Sequence, residues 1–171
     1  MSADDIEAVR RELAMLKAEV RALRSGLYRL IAALLTALLA VGQLTPISRF
    51  SLTVDGPIES FSLFWLAPRA ITGGGSTSAA DWLGYLGFIG LTVVTLLTAV
   101  GLFVLLGRRA VGDRTRPTWI GVVGTLLVIG TVVGILLALA GGTAIWPAVA
   151  IDALAVVLTA ATIFARPDRA S

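Results

Sequence analysis

Long uncharged apolar runs dominate the hydrophobic pattern of the chain. They cover residues 30–48, 82–107 and 117–151, and about 20 apolar residues are enough for a helix to cross the hydrocarbon core of a bilayer. The last run is too long for one helix, and Gly141-Gly142-Thr143 interrupts it with residues typical of a turn. The pattern therefore predicts an all-α membrane protein with four transmembrane helices, at residues 30–48, 82–107, 118–140 and 144–165, and an outer turn at residues 141–143.

Before the first predicted helix, apolar residues recur at alternating spacings of three and four. These residues, which we call the cytoplasmic seam, are Ile6, Val9, Leu13, Leu16, Val20 and Leu23. Such a heptad repeat, with apolar residues at positions a and d, is typical of a coiled coil. The period continues through Leu27 to Leu44. We predict a cytoplasmic coiled-coil helix over residues 1–29 that runs into the first transmembrane helix, with Ser25-Gly26 as its only weak point.

Charges beside the cytoplasmic seam predict how two such helices pair. With Ile6 at position a, the g positions are all acidic and the e positions all basic; they are Asp5, Glu12 and Glu19 (g) and Arg10, Lys17 and Arg24 (e). In a parallel pair each g residue faces the e residue of the following heptad on the partner, so every contact is attractive. We therefore expect a parallel homodimer, or a higher homo-oligomer. The alternatives are a heteromeric coil and an amphipathic helix on the inner leaflet.

Lys and Arg are distributed unevenly between the two sides of the predicted helices. Of the 14, six precede the first helix, four lie in the basic loop 108–117, two lie in the tail 166–171, and only Arg49 and Arg69 lie in the loop 49–81. Short loops rich in Lys and Arg stay in the cytoplasm. Both termini are therefore predicted to be cytoplasmic, with residues 49–81 outside. The bias towards Ala, Gly and Arg indicates a bacterial plasma membrane.

The composition excludes several classes of function. The chain is 57% hydrophobic and 15% charged, with a mean hydropathy of +0.90, which lies outside the range of soluble domains. The absence of Cys and His removes the usual nucleophiles and metal ligands. We expect no cofactor, no metal and no catalysis. The net charge is only +3, and the basic residues flank apolar runs, so nucleic acid is not an expected partner.

The outer loop 49–81 carries a strand pattern. Apolar and polar residues alternate on both sides of Asp55-Gly56-Pro57, which predicts a β-hairpin. An interfacial helix after Pro57 is the alternative. Phe61, Phe64 and Trp65 are the predicted contact residues of this loop, and a Gly/Ser tether follows them.

One ionisable residue, Asp152, lies well inside a predicted transmembrane helix. Counting along the helices places Thr36, Thr92 and Thr131 at a similar depth. Three interpretations are open: a neutral carboxyl held by threonine hydroxyls, an intramembrane cation or proton station, or a carboxylate paired with Arg49 or Arg69 reaching down from the outer loop. Small residues are predicted to pack helices within the chain, with a face between subunits as the alternative; they are Gly84, Gly87, Gly90, Gly130 and Gly134.

Together, the long first outer loop with its strand pattern, the short second outer turn and the two cytoplasmic termini resemble claudin-like four-span proteins in outline. The paired cysteines and the Trp-based motif of that family's first loop are absent, so no residue role is carried over. The expected function is a non-enzymatic, self-associating scaffold or accessory subunit in the bilayer, which also contacts another membrane or extracytoplasmic protein through the outer loop. The alternative is a small oligomeric channel or transporter subunit that uses Asp152.

Overall fold

A computed structural model describes residues 3–50, 58–61 and 79–165. Within these ranges the chain forms four helices and two three-residue strands. In chain order they are α1 (Ala3–Leu44), β1 (Ser48–Phe50), β2 (Glu59–Phe61), α2 (Ala79–Val111), α3 (Thr118–Ala140) and α4 (Trp146–Phe164). All four helices are long and apolar enough to cross a membrane, which confirms that part of the prediction. The protein is a multi-pass helical membrane protein.

The helix ends follow from local chemistry. α1 ends at Leu44, before the predicted limit at residue 48, because Pro46 has no N–H to donate and disfavours the helical conformation at Thr45. α2 ends at Val111, where Gly112 takes a φ of 92°, a left-handed conformation that suits Gly. The turn between α3 and α4 uses Gly142 in the same way, with a φ of 64°.

The helices form a four-membered bundle in which each packs on its two neighbours. α1 packs against α2 and α4, and α3 packs against the same two helices. Short connections make the helices joined by them run antiparallel. The shared core is apolar and consists of Leu35, Leu39, Leu102, Leu105, Ile120, Leu127, Ala155, Val156 and Ile163.

At one end of the bundle, the chain leaving α1 is joined to the turn between α3 and α4. Arg49 N donates to Thr143 O at 3.0 Å, and Ile145 N donates to Ile47 O at 2.9 Å. Because Ile145 is extended, with φ −99° and ψ 98°, and makes one of these bonds, α4 begins at Trp146 rather than at the predicted residue 144. The exit of α1 is thereby fixed to the start of α4.

Strands β1 and β2 lie at this same end and pair antiparallel, with Arg49 opposite Ser60. The residues that join them lie outside the described part of the chain, as do Phe64 and Trp65. Phe61 ends β2, where its backbone is opposite Ser48. The three-residue ladder has the direction that the hairpin interpretation requires, and the hairpin as a whole stays a prediction.

At the opposite end, arginines join the α2–α3 loop to the end of α4. The Arg109 side chain donates to Ala165 O at 3.1 Å. The Arg116 side chain donates to Ile163 O at 3.4 Å, and its guanidinium lies 5.2 Å from the centre of the Phe164 ring. These cations also oppose the negative end of the α4 dipole.

The first part of α1 extends beyond the bundle. Every described side chain from Ile6 to Arg24 is exposed, and burial begins only near the first core residue, Ala32. At 1.5 Å per residue, α1 is about 60 Å long, about twice the thickness of the hydrocarbon core of a bilayer. α1 therefore has a free segment and a bundle segment in one unbroken helix.

Candidate functional site

The α4 helix places Asp152 inside the bundle. Asp152 is 0% exposed and lies six residues after the start of the helix, about 9 Å along its axis. Its neighbours on the same face, Ala155 and Thr159, are also 0% exposed. The helix therefore turns a narrow buried face towards α1 and α3, and Asp152 is the one acidic member of it.

Gln43 is the residue that meets Asp152. Its Nε2 donates to Asp152 Oδ1 at 3.3 Å, across 109 positions of sequence, and Gln43 itself is only 7% exposed. A buried carboxyl oxygen is satisfied in this way, although 3.3 Å is long for a hydrogen bond. Sequence reasoning missed Gln43. The signal was present, because Gln43 is the one amide side chain inside the first apolar run.

Gly42, next to Gln43, allows α1 to come this close to α4. A Cβ at position 42 would lie 2.8 Å from Asp152 Oδ1 and 3.1 Å from Asp152 Cα. The carboxyl oxygen belongs to a side chain that can rotate, but the Cα at 3.1 Å belongs to the α4 backbone and could give way only if the helices moved apart by a few tenths of an ångström. The two helices therefore meet at Gly42 only because that position has no side chain.

Two of the predicted threonine partners, Thr36 and Thr131, do not hold Asp152 in this structure. Thr36 Oγ1 and Thr131 Oγ1 are buried and have no hydrogen-bond partner among the described residues, and the same is true of Asp152 Oδ2 and Thr159 Oγ1. Thr92 lies half-buried on α2. The hydrogen bond to Asp152 comes from Gln43, which supplies an amide N–H where the sequence predicted hydroxyl groups.

The buried polar side chains of α1 and α4 lie at two levels along the contact between these helices. Because α1 and α4 run antiparallel, Thr36, seven residues before Gln43, lies at about the level of Thr159, seven residues after Asp152. The two levels are about 10 Å apart along the helices. Leu39, 1% exposed, lies between them on α1. An apolar layer thus separates the Gln43–Asp152 pair from the threonine level.

The chemistry open to Asp152 follows from its surroundings. A charged carboxylate at the centre of a transmembrane helix costs about 2.5–3.5 kcal/mol on insertion scales, and a buried polar atom without a partner costs about 1–3 kcal/mol. The Gln43 amide offsets part of this cost for Oδ1. Oδ2 is a remaining acceptor or proton carrier in a buried site, which suits a neutral carboxyl or a carboxylate with a bound cation.

The predicted glycines divide into two groups. A Cβ at Gly130 would lie 2.8 Å from Leu91 Cδ1, so Gly130 does pack α3 against α2. Gly87 and Gly90 are exposed, and nothing in the described structure lies within 4 Å of a Cβ at either position. Among the described residues, no other helix lies close to Gly87 or Gly90. The surroundings of Gly84 lie outside the described residues.

Other glycines make close contacts between helices as well. A Cβ at Gly124 would lie 3.0 Å from Ile163 Cδ1 on α4, and a Cβ at Gly101 would lie 3.4 Å from Ile120 Cγ1 on α3. Gly42 has the tightest contact with a neighbouring backbone. Gly134 is half-buried on α3. The small residues that position the site are thus spread over α1, α2 and α3 rather than grouped in one motif.

The cytoplasmic seam lies open along the free segment of α1. Its six residues are between 40% exposed, at Ile6, and 69% exposed, at Leu23. Of the flanking charges, Arg10, Glu12, Lys17, Glu19 and Arg24 are exposed, and the side chain of Asp5 lies outside the described residues. Within the described chain the guanidinium of Arg24 lies 5.6 Å from the centre of the Tyr28 ring, and an ion pair joins Glu7 to Arg11 at 3.3 Å.

Comparisons with known proteins do not identify a relative of this chain. No protein family, no curated protein and no solved structure matches the chain. The assignment of function therefore depends on the exposed seam and the buried acid.

Proposed function

We propose that the protein is a non-enzymatic membrane scaffold or accessory subunit that self-associates through a parallel coiled coil of α1. The observation that carries this proposal is the exposure of the whole cytoplasmic seam. Six apolar side chains at heptad spacing point into solvent along about 26 Å of helix. A single chain gains nothing from that arrangement, whereas a second copy would bury the seam by knobs-into-holes packing.

The charges beside the seam favour a second copy in parallel orientation. Among the described residues, no ion pair engages Glu12, Glu19 or Lys17 within the chain. Each is free to meet its counterpart on a partner helix, Glu12 with Lys17 for example. An exposed pair of this kind contributes about 0.3–0.5 kcal/mol, so the charges select orientation while the seam supplies affinity.

Seam substitutions test the proposal directly. Changing Leu13 and Leu16 to Asp removes four leucines from a dimer interface, and at about 1.5 kcal/mol for each buried leucine the loss is about 6 kcal/mol, or about four orders of magnitude in Kd. Met15→Asp is the matched control, because Met15 is 65% exposed but lies off the seam. Light scattering in mild detergent should find a monomer for the Leu variant and an oligomer for Met15→Asp. Equal behaviour of the two would contradict the proposal.

Charge reversal tests the parallel orientation separately. Glu12→Lys should weaken association by about 1 kcal/mol, roughly fivefold, and adding Lys17→Glu should restore it. This pair is the cleaner choice because Arg24 already contacts Tyr28. A double variant that stays as weak as Glu12→Lys would show that the two residues do not meet across the interface.

The proposal also covers the orientation of the protein in its membrane and the partner of its outer loop. Twelve of the 14 Lys and Arg residues flank one side of the four helices, which supports cytoplasmic termini in a bacterial plasma membrane. The loop after α1 then lies outside, where a second membrane or extracytoplasmic protein is its proposed partner. In its described part, Ile58 is 76% exposed and is accessible to such a partner.

A small oligomeric channel or transporter subunit is the second candidate function. The observation that favours it is Asp152 Oδ2, which is buried and has no partner among the described residues. Ionisable groups inside membrane helices frequently mark ion or proton pathways. In this hypothesis the carboxylate stabilises a passing cation or carries a proton. The apolar layer at Leu39 would then have to open during transport.

Flux through liposomes separates the two candidates. For a channel, the parent protein should conduct cations or protons, and Asp152→Asn should abolish flux while the oligomer stays intact. For a scaffold, parent and variant should both be silent. Gln43→Glu is a useful companion because it alters the partner of Asp152 and leaves Asp152 itself in place. Flux that survives in Asp152→Asn would remove Asp152 from any pathway.

A further inference from the structure

The heptad register of the cytoplasmic seam continues through the part of α1 that enters the bundle. Its further a and d residues, which we call the membrane seam, are Leu27, Leu30, Leu34, Ala37, Val41 and Leu44. All six are exposed; Leu34, near the middle, is 61% exposed and Leu44, at the end, is 49% exposed. The open face of α1 therefore follows one register from Ile6 to the end of the helix.

The opposite face of α1 is the one that the bundle uses. Ala32 and Leu39, at heptad position f directly opposite the a/d edge, are each 1% exposed. Their neighbours Leu35, Gly42 and Gln43, at positions b and c, are buried as well. α2 and α4 cover this face. Among the described elements, a partner helix on the membrane seam would therefore meet no other helix of the same chain.

An unbroken helix transfers the pairing of its free segment to its membrane segment. α1 is continuous through Ser25 and Gly26, so two copies joined along the cytoplasmic seam present their membrane seams to each other. A straight helix drifts only about 20° per heptad from a 3.5-residue repeat, and the slight supercoil of a coiled coil removes that drift. Pairing of the two free segments also holds the two attached membrane segments at a high effective concentration.

We propose that a second copy of the chain packs on the membrane seam, so that the two α1 helices form one continuous parallel coiled coil from the cytoplasmic end to Leu44. This inference rests on the proposed self-association and extends it into the bilayer. There the contact is stabilised by van der Waals packing, since lipid supplies no hydrophobic drive. Ala37, the smallest residue of the seam, marks the closest approach. The two four-helix bundles then flank the α1 pair on opposite sides.

Disulfide crosslinking in native membranes tests this proposal, because the parent chain has no Cys. Three single variants suffice. Leu16→Cys reports the cytoplasmic seam, Leu34→Cys reports the membrane seam, and Ala33→Cys is the matched control, exposed on the same turn but at a flanking position. Seam positions in a parallel pair lie within the Cα separation of about 7 Å that a disulfide permits. Leu16→Cys and Leu34→Cys should each give about tenfold more disulfide dimer than Ala33→Cys.

The outcomes distinguish this inference from the proposed function. If Leu16→Cys crosslinks and Leu34→Cys gives no more dimer than Ala33→Cys, the coil ends in the cytoplasm; the membrane interface is then overturned and self-association stands. If neither seam position crosslinks, both proposals fail. Dimer at Leu34 alone would also overturn the continuous coil. A Cys scan from residue 33 to 41 should further peak at Leu34, Ala37 and Val41, and a flat profile would count against the seam.

Discussion

Replacing Gly42 by Ala should destabilise the bundle, although the same change stabilises most helices. The new Cβ would lie 2.8 Å from Asp152 Oδ1 and 3.1 Å from Asp152 Cα. The carboxyl can rotate away, but the Cα cannot, so α1 and α4 would have to separate by a few tenths of an ångström. Overpacking of this kind costs about 1–3 kcal/mol. The higher helix propensity of Ala returns about 1 kcal/mol, which leaves a net loss of about 1 kcal/mol.

Two other glycines provide the controls. Gly26 also lies in α1, and nothing lies within 4 Å of a Cβ at that position, so Gly26→Ala should gain up to about 1 kcal/mol from propensity alone. Gly130 is an intermediate case. Its Cβ would meet Leu91 Cδ1 at 2.8 Å, but that atom ends a flexible side chain that can rotate away. Gly130→Ala should therefore be nearly neutral.

The stabilities of the three variants can be compared in mild detergent by adding a denaturing detergent stepwise and monitoring unfolding by circular dichroism. The expected order of stability is Gly26→Ala above Gly130→Ala above Gly42→Ala, with about 2 kcal/mol between the first and the last. A Gly42→Ala variant as stable as Gly26→Ala would refute the close contact of α1 with α4. Combining Gly42→Ala with Asp152→Ala should cost slightly less than the sum of the two single changes, because turning the carboxyl away from Gln43 is a loss that Asp152→Ala already includes, whereas the contact with Asp152 Cα remains.

Three further predictions concern the rest of the chain. Cys at Ile58, 76% exposed, should react in intact cells with a membrane-impermeant thiol reagent, whereas Cys at Val111, 89% exposed, should not; the reverse result would invert the orientation. Asp152→Leu should lose about 1–3 kcal/mol of stability, since the amide that donates to Asp152 loses its acceptor, while Asp152→Asn should stay close to the parent in the same unfolding assay. A hydrogen bond from the Thr115 side chain lowers the pKa of Asp113, and a second one from the Thr115 backbone lowers it further. The charged carboxylate therefore stabilises the loop at pH values above the ordinary pKa of Asp. This stabilisation is lost as the pH falls through the lower pKa of the folded state. Thr115→Ala should raise the pKa of Asp113 in an NMR titration, and an unchanged pKa would show that the Thr115 side chain does not hold it.

Local properties of the sequence were enough to predict the helices. Length and hydropathy identify the four transmembrane helices, because a bilayer of fixed thickness requires runs of that length. The heptad pattern predicted one helix from the N-terminal region into the bilayer, and α1 is a single helix from Ala3 to Leu44. Gly142 was part of the predicted turn and takes the left-handed conformation there. Each of these features depends on residues close together in the chain.

The partners inside the bundle depended on the tertiary structure. Asp152 was identified as buried, but its contact with Gln43 spans 109 positions, and nothing in the order of residues states that α1 and α4 are neighbours. Gly87 and Gly90 looked equivalent to Gly130, yet among the described residues only Gly130 of these three lies against another helix. Helix α3 illustrates why the sequence does not distinguish inner from outer positions, since both its exposed side and its buried side are apolar. In a soluble protein, polar residues mark the outer face of a helix. In a bilayer, lipid accepts apolar side chains as readily as the core does, so the sequence of a transmembrane helix carries little information about which face is inside, and packing against the other helices decides it.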